Sequence, residues 1–340
     1  MRNFNAQNER LKRKHIDFIK ETKGRDHKTL DKITAALVKF EESTKYKPFR
    51  SFHIDQARQF KSTLARAKNP ITGKPLSLTT IDATLRMVKG FFQWLAWQQG
   101  FKKVLSHGNA EYFNNNAKDA RAAHTPRPKP IPSIKAAYHA FQAMPEATEL
   151  QHRDKAIFAF QMLTAARVSA TATLKLKHIN LIDGTVFQDG REVDTKNSKV
   201  FMTAFFPVDP AYLACFTAWV NHLIQNRLFG LEDALFPKPE RELINGKFVF
   251  RKVSREPYAN SAKINMIIRQ SFANVQLPEY TSHSFRSTLS QLMSDFNLSV
   301  EEQLAWSRNL GHKNFATTVS HYLKVSEPRQ IELIAGLKGN

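Results

Sequence analysis

The sequence is poor in cysteine, because Cys215 is the only one among 340 residues. One thiol cannot form an intramolecular disulfide or a zinc site made of several cysteines, and this fits a reducing cytoplasm. Its neighbours Leu213, Phe216 and Trp219 predict a helix interior, where cysteine is a small buried apolar residue far more often than a nucleophile. We therefore expect no catalytic role for Cys215.

Long apolar runs are also missing. No stretch of the sequence approaches the length needed to span a membrane. The basic residues near the N-terminus, such as Arg10 and Lys12, are not followed by the apolar segment of a signal peptide. We expect a cytoplasmic protein without a membrane partner.

Acidic residues are scarce relative to basic ones. Asp and Glu number 30 against 51 Lys and Arg, which gives a formal net charge of +21. Such an excess attracts polyanions and favours release of the cations condensed on DNA. A ribosomal or membrane-surface protein is the alternative, but here the basic residues are mixed with apolar periodic segments. The charge predicts nucleic acid as the first partner.

The first third of the chain has the apolar spacing of helices. Leu30, Ile33 and Leu37 recur at helical intervals, and the segment 77–99 keeps its apolar residues on one face. A chain of this length, with 42% hydrophobic residues, can build two domains that each bury a core. We predict a small all-helical domain over residues 1–118.

A basic segment rich in proline follows, over residues 119–132. Its prolines lack an amide donor and restrict the residue before them, so the segment from Ala123 onwards cannot sustain a helix. We predict an extended linker between two domains, with cations that can face phosphates. A solvated spacer that makes no contacts is the alternative.

The remaining residues, 133–340, have mixed periodicity. Helical spacing is found over 133–144 and 153–172, and the segment 185–206 has the composition of a short antiparallel meander. From Ala211 onwards the pattern is mostly helical. The predicted fold class is therefore mostly α with a small antiparallel β-sheet.

Four segments carry cationic or proton-transferring side chains. Each one alone has an ordinary structural explanation, and their order along the chain is what makes them informative. The segments are Leu163 to Ser169 with Arg167, Asp194 to Lys199 with Lys196, His283 to Thr288 with Arg286, and Leu310 to His312 followed by Tyr322.

In this order the segments resemble the catalytic domain of the tyrosine recombinases, the family of phage integrases, Xer-type resolvases and transposon and integron integrases. The resemblance covers roughly residues 130 to 325, and its specific part is the combination of His283-x-x-Arg286 with Leu310-Gly311-His312 and a downstream tyrosine. It implies a set of catalytic residues: Arg167, Lys196, His283, Arg286, His312 and the nucleophile Tyr322.

The chemistry of phosphodiester cleavage explains why these residue types are needed. Negative charge builds up on the non-bridging oxygens in the transition state, and arginines donate forked hydrogen bonds to such oxygens. Histidine changes its charge near neutral pH and can orient the phosphate or move the proton of the tyrosine. The covalent phosphotyrosine conserves the bond energy, so we expect no cofactor and no metal.

Two assignments have competing interpretations. Arg167 lies in an apolar stretch, 158–172, where it could be a structural arginine paired with a carboxylate. Lys196 is followed by Asn197 and Ser198, and a lysine in such a turn is ordinarily solvated. Lys199 is the competitor of Lys196 for the role of general acid.

The sequence departs from the family pattern at two points. The family often has an acidic residue three positions after the first arginine, and this chain has Ala170 there. Support for the arginine must then come from elsewhere, with Ser169 or Thr171 as candidates, or activity is weakened. The interval from His312 to Tyr322 is also one residue longer than in the commonest pattern, which we interpret as a subgroup trait.

The resemblance implies a helical core-binding domain, 1–118, joined by the linker to a catalytic domain with a C-terminal tail, 133–340. Its activity would be DNA integration or excision through a 3′-phosphotyrosine intermediate. The substrate would be duplex DNA with inverted-repeat half-sites, recombined by a homo-tetramer in the nucleoid, and accessory DNA-bending proteins can join it. The alternatives are a type IB topoisomerase-like enzyme and a DNA-binding relative with weakened catalysis.

Overall fold

The chain divides into two compact units, residues 1–127 and 128–340. A computed structural model describes residues 4–125, 130–195 and 198–312. The described residues are mostly helical and form three small antiparallel sheets, so the predicted fold class is confirmed. No helix among these residues has both the length and the apolar character to cross a membrane.

The first unit is built from helices. They are α1 (Ala6–Lys23), α2 (His27–Ser43), α3 (Ile54–Arg66), α4 (Leu78–Ala96), α5 (His107–Glu111) and α6 (Ala117–His124). Helix α4 corresponds to the segment predicted over 77–99, and it begins where the Ser77 side chain accepts a hydrogen bond from the Thr80 amide. It ends before the predicted residue because the Trp97 amide donates to the Trp94 carbonyl in a tighter turn.

Phenylalanine rings fill the core of this unit. Phe40 and Phe92 meet edge to face with their centroids 5.2 Å apart, and Phe113 lies 5.4 Å from Phe40. All three side chains are at most 1% exposed. Edge-to-face pairs contribute about 0.5–1.5 kcal/mol each beyond the burial of their area. The rings therefore fix the packing of α2 against α4 and the segment that follows α5.

The predicted linker needs a correction at its start. Helix α6 covers residues 117–124, so the first part of the segment 119–132 is helical and not extended. The Asn116 side chain accepts a hydrogen bond from the Asp119 amide and starts the helix, and the first proline is only reached at Pro126. Residues 126–129 lie outside the described residues.

A buried histidine in this unit leads to a testable pH dependence. His15 on α1 is 2% exposed, and its ring lies 4.9 Å from that of Trp94 and 5.2 Å from that of Phe91. Burial, together with the charge of Lys23, lowers the pKa of His15 from 6.5 to about 4. The unfolded chain therefore binds the proton first as the pH falls from 6.5 to 4. We expect the free energy of unfolding to decrease in this window by up to about 3 kcal/mol.

Denaturant unfolding at several pH values measures this effect. His15→Phe removes this titrating group and should reduce the pH dependence between pH 4 and 6.5, while His152 and His178, whose pKa burial also lowers, leave part of it. His27→Gln, at an exposed position on α2, should keep it. If His15→Phe loses stability with pH as steeply as the unmodified chain, another group is responsible.

The second unit combines helices with short strands. The helices are α7 (Ile134–Gln142), α8 (Glu149–Thr164), α9 (Val168–Thr173), α10 (Pro210–Asn221), α11 (Ala262–Ala273), α12 (Ser282–Leu292) and α13 (Val300–Asn309). Helix α8 is the centre of this unit, because every residue from Ala156 to Thr164 is buried. It therefore provides a rigid support for the loop at its C-terminal end.

The first sheet corresponds only in part to the predicted meander. Its antiparallel strands are β1 (Ile179–Asn180), β2 (Thr185–Gln188) and β3 (Phe201–Ala204), in the order β1-β2-β3. The segment 192–193, interpreted as part of the meander, lies in a turn. Both of its amides donate to the Asp189 carbonyl, and the Asp189 carboxylate accepts from the Arg191 amide.

Four further strands were not predicted, because the chain beyond Ala211 was expected to be mostly helical. Strand β4 (Pro237–Pro239) pairs with β7 (Val253–Pro257), and β5 (Glu242–Ile244) pairs with β6 (Lys247–Val249). The inner hairpin turns at Asn245 and Gly246, whose φ angles of 51° and 72° are both left-handed. An Asn-Gly pair is the usual sequence for this tight hairpin turn.

Cys215 lies in α10, as predicted from its neighbours. Burial raises the pKa of its thiol to about 11. A thiol with such a pKa carries almost no thiolate at neutral pH. Burial therefore makes Cys215 a poor nucleophile at neutral pH.

Candidate active site

Arg167 lies at a break between two helices and not inside one helix as the sequence suggested. Helix α8 ends at Thr164, Ala165 has left-handed dihedral angles (φ 50°, ψ 26°), and α9 begins at Val168. The hydroxyl of Thr164 donates to the Phe160 carbonyl and accepts from the Ala166 amide, which stabilises the turn. A left-handed alanine costs about 1–2 kcal/mol, and such strain is commonly found at functional sites. The break leaves the Arg167 side chain half-buried.

Arg286 joins three separate parts of the second unit. Its guanidinium lies on α12, is 5% exposed, and donates from Nη1 to the Ala165 carbonyl at 2.5 Å and from Nη2 to the Leu310 carbonyl. Arg286 therefore holds the left-handed turn before Arg167 next to the Leu310-Gly311-His312 segment. The sequence predicted that these segments act together, and the structure brings them together.

His312 lies three residues after the end of α13, which is Asn309. Its Nε2 lies 3.4 Å from Nη2 of Arg286, and its amide donates to the Ser307 carbonyl at 3.2 Å. Gly311 has a left-handed φ of 70°, and a Cβ atom there would lie 3.0 Å from the ring of Phe201 on β3. Both the backbone angle and the close approach therefore favour glycine before His312.

His283 lies in the first turn of α12, one turn before Arg286. At the helix start the Thr281 amide donates to the Ser284 hydroxyl at 3.3 Å, and the Ser284 amide donates to the Thr281 carbonyl at 2.8 Å. The His283 side chain is exposed, so it is accessible to solvent and to a bound polyanion. Of the six predicted catalytic residues, the structure describes Arg167, His283, Arg286 and His312, while Lys196 and Tyr322 lie outside the described residues.

Lys199, the competitor of Lys196, lies at this site. Its Nζ donates to the Gly311 carbonyl at 3.1 Å, immediately before His312. The sequence could not reveal this contact, because Lys199 and Gly311 are 112 residues apart. They come together only when α13 packs against β3 in the folded chain.

Ala170 is completely buried, so the position that is often acidic in the family faces the core here. Its two neighbours, named from the sequence as candidate supports, both make hydrogen bonds at this site. The Thr171 hydroxyl accepts from Gln161 and lies 3.3 Å from the Arg167 carbonyl, and the Ser169 hydroxyl donates to the Asp194 carbonyl at 2.8 Å. These contacts support the backbone around Arg167.

The loop between β2 and β3 is held against α9 on its N-terminal side. The Asp194 amide donates to the hydroxyl of Thr173 at 2.9 Å, in addition to the contact from Ser169. Across the loop, a Cβ atom on Gly190 would lie 2.3 Å from the backbone of Ser198, so only glycine fits. Asp194 on one side of Lys196 and Ser198 on the other are therefore held in place.

Asn309 is a site residue that the sequence analysis missed. Its amide oxygen accepts from the Ala204 amide at 2.7 Å, and its amide nitrogen donates to the Ala204 carbonyl at 2.9 Å. The available signal was a polar amide at the end of a helix, directly before Leu310-Gly311-His312. Among the described residues, no group of three or more His, Cys, Asp and Glu side chains is placed to hold a metal ion.

Comparison with known structures shows a shared fold. A lambda integrase dimer bound to a COC′ core site is 13% identical with a TM-score of 0.61, over 93% of this chain and 95% of that chain. The integrase of transposon Tn1549 in complex with circular intermediate DNA is 17% identical with a TM-score of 0.62, over 97% and 99%. The XerH recombinase bound to difH substrate is 15% identical with a TM-score of 0.57, over 92% and 80%.

A comparison with curated protein sequences finds no match. The model of the phage integrase family, in contrast, matches residues 134–329, more than half of the chain. This range includes all four segments that the resemblance rested on, and the structure brings three of them together around Arg286. The chain belongs to the phage integrase family and is a tyrosine-type site-specific DNA recombinase.

Proposed function

We propose that Tyr322 attacks a DNA phosphodiester and that Arg167, Arg286, His283 and His312 bind the phosphate during the reaction. One observation carries this proposal: the Arg286 guanidinium lies between the turn before Arg167 and His312, with 3.4 Å to the His312 ring nitrogen. Two hydrogen bonds to carbonyls fix its orientation before any substrate arrives. Preorganised donors of this kind stabilise a developing oxyanion without reorganising during the reaction.

The proposed cleavage exchanges one phosphodiester-type bond for another. The phenolic oxygen of Tyr322 forms a bond to phosphorus, and the bond from phosphorus to the 5′ oxygen breaks. The phenol gives up its proton to a histidine or to water, and the departing 5′ oxygen takes a proton from Lys196. Attack by the 5′ hydroxyl of another strand reverses these steps and releases the tyrosine. No external energy source is needed, because the number of phosphodiester-type bonds stays constant.

DNA is the partner of this recombinase, and we infer its finer organisation from the family. The proposed substrate is duplex DNA with inverted-repeat half-sites, bound by a homo-tetramer in the cytoplasm and joined there by accessory DNA-bending proteins. The proposed DNA contacts come from both units, with the helical first unit as the core-binding domain. The net charge of +21 supports this assignment, since Lys and Arg neutralise the phosphates that such a complex brings together.

Covalent trapping on a suicide substrate tests the proposed reaction. When a half-site with a nick close to the cleavage position is attacked, the short fragment that carries the free 5′ hydroxyl diffuses away, so religation fails and the adduct accumulates. The full chain should give an adduct that survives denaturing electrophoresis, and peptide mapping should place the 3′-phosphate on Tyr322. A chain that binds the half-site but gives no adduct would instead be a relative with weakened catalysis, with Ala170 as the first residue to investigate.

The charge leads to a prediction about binding. Affinity for non-specific duplex DNA should fall by about 10³-fold or more between about 50 and 200 mM salt, because six or more phosphate contacts release condensed cations. A titration of fluorescent duplex at several salt concentrations measures the slope of log affinity against log salt. A flat response over this range would show that the excess of basic residues does not contact DNA.

A further inference from the structure

Strand β3 and the end of α13 are joined by hydrogen bonds that lead directly to His312. The Asn309 amide binds both backbone groups of Ala204, and the Thr203 hydroxyl lies 3.3 Å from the Asn309 carbonyl. The Lys199 ammonium then donates to the Gly311 carbonyl at 3.1 Å. The backbone that precedes His312 is therefore held along β3.

The main chain of Lys199 is also fixed. The hydroxyl of Thr195, which is 6% exposed, donates to the Lys199 carbonyl at 2.8 Å. The same carbonyl would lie 2.8 Å from a Cβ atom on Gly190, so the loop passes tightly against this glycine. Thr195 and Lys199 stand on either side of Lys196. The Lys199 side chain thus links the described residues on either side of Lys196 to the segment that carries His312.

Two cations bind consecutive carbonyls before His312. Arg286 donates to the Leu310 carbonyl, and Lys199 donates to the Gly311 carbonyl. Hydrogen bonds from charged donors to carbonyls are shorter and stronger than those between neutral groups. Together they restrict rotation of the backbone at Gly311, whose left-handed φ of 70° would otherwise be the most easily changed angle next to His312.

We propose that Lys199 is a positioning residue, which fixes the described backbone on either side of Lys196 relative to His312, and that it does not donate the proton. This inference rests on the proposed function, because it assigns the general acid to Lys196. An ammonium engaged with the Gly311 carbonyl acts through its hydrogen bond, and an arginine can make the same bond. A proton donor has different requirements, because an arginine is too basic to release its proton efficiently.

The test compares cleavage of ordinary DNA with cleavage of DNA whose 5′ bridging oxygen is replaced by sulfur, since a thiolate leaves without protonation. Lys199→Met should lower single-turnover cleavage by about 10²-fold on both substrates, the size expected for a small misplacement of catalytic groups. Lys199→Arg should restore cleavage to within about tenfold on both. Lys196→Met should lose about 10²–10⁴-fold on ordinary DNA and recover on the sulfur substrate. Lys238→Met is the matched control. Lys238 on β4 pairs with Glu256 on β7, and this variant should cleave both substrates normally.

A second measurement does not depend on activity. Hydrogen exchange of peptides covering 199–204 and 309–312 should be faster in Lys199→Met than in the unmodified chain and near normal in Lys199→Arg, with equal melting temperatures showing that all variants fold.

Recovery of Lys199→Met on the sulfur substrate would make Lys199 the general acid and overturn the inference. Normal cleavage by Lys199→Met, or a Lys199→Arg variant as slow as Lys199→Met, would overturn it as well. If the unmodified chain forms no adduct on either substrate, the proposed function fails, and the exchange rates alone then decide whether Lys199 holds Gly311.

Discussion

Replacing Tyr322 by phenylalanine is expected to abolish the covalent adduct with DNA and to leave DNA binding within about twofold of its original strength. The substitution removes the attacking oxygen and almost no volume, so the shape of the site is retained. The phosphate contacts that dominate binding come from arginine and lysine side chains, which the substitution does not touch. The measurement is a suicide-substrate assay on denaturing gels, paired with a binding titration on the same half-site.

A matched control comes from another tyrosine of the same unit. Tyr280 is half-buried and packs against Phe272 with a centroid distance of 4.9 Å, three residues before His283. Tyr280→Phe removes a hydroxyl close to the site in sequence and should form the adduct at the normal rate. If Tyr322→Phe still forms an adduct that survives denaturation, the nucleophile is another residue, and peptide mapping of that adduct identifies it.

Replacing Arg286 by glutamine is expected to lower both stability and cleavage. The buried guanidinium donates to the Ala165 and Leu310 carbonyls, whose residues are at most 1% exposed. A shorter amide leaves at least one of these carbonyls without its donor, at a cost of about 1–3 kcal/mol in the free energy of unfolding. Loss of an oxyanion donor lowers cleavage by about 10²–10³-fold. Denaturant unfolding and single-turnover cleavage measure the two effects on the same protein.

Two further variants separate these effects. Arg251→Gln removes an exposed arginine of the same unit and should change neither stability nor cleavage appreciably. Arg286→Lys keeps a positive charge but cannot donate to two carbonyls and a phosphate in a forked geometry, so its cleavage should remain low. Full cleavage by Arg286→Lys would mean that charge alone is required at this position, and that the orientation seen in the structure is not used.

The sequence predicted the elements of the site better than their connections. The mostly helical pattern beyond Ala211 follows from local spacing, and the structure has α12 with His283 and Arg286 and then α13 in this part of the chain. The break before Arg167 was missed because Ala165 adopts a left-handed conformation without the glycine that usually marks it. Burial of the C-terminal end of α8, the Thr164 hydroxyl and the bond from Arg286 to the Ala165 carbonyl together stabilise this turn.

The strands between Pro237 and Pro257 were missed for a different reason. Their prolines and their length of three to five residues hide the alternation by which strands are recognised. The pair Asn245-Gly246 was a usable signal for the inner hairpin. The links made by Lys199 and Asn309 could not be inferred at all, since each joins residues more than 100 positions apart.

The pairing of Asn309 with Ala204 also has a consequence for the behaviour of the protein at high concentration. Strand β3 is at the edge of its sheet, and an exposed edge offers unpaired amides and carbonyls to any extended segment of another molecule. At Ala204 both groups are already occupied by one side-chain amide, which imitates the backbone of a neighbouring strand. Asn309 therefore closes this part of the edge against aggregation without adding a strand.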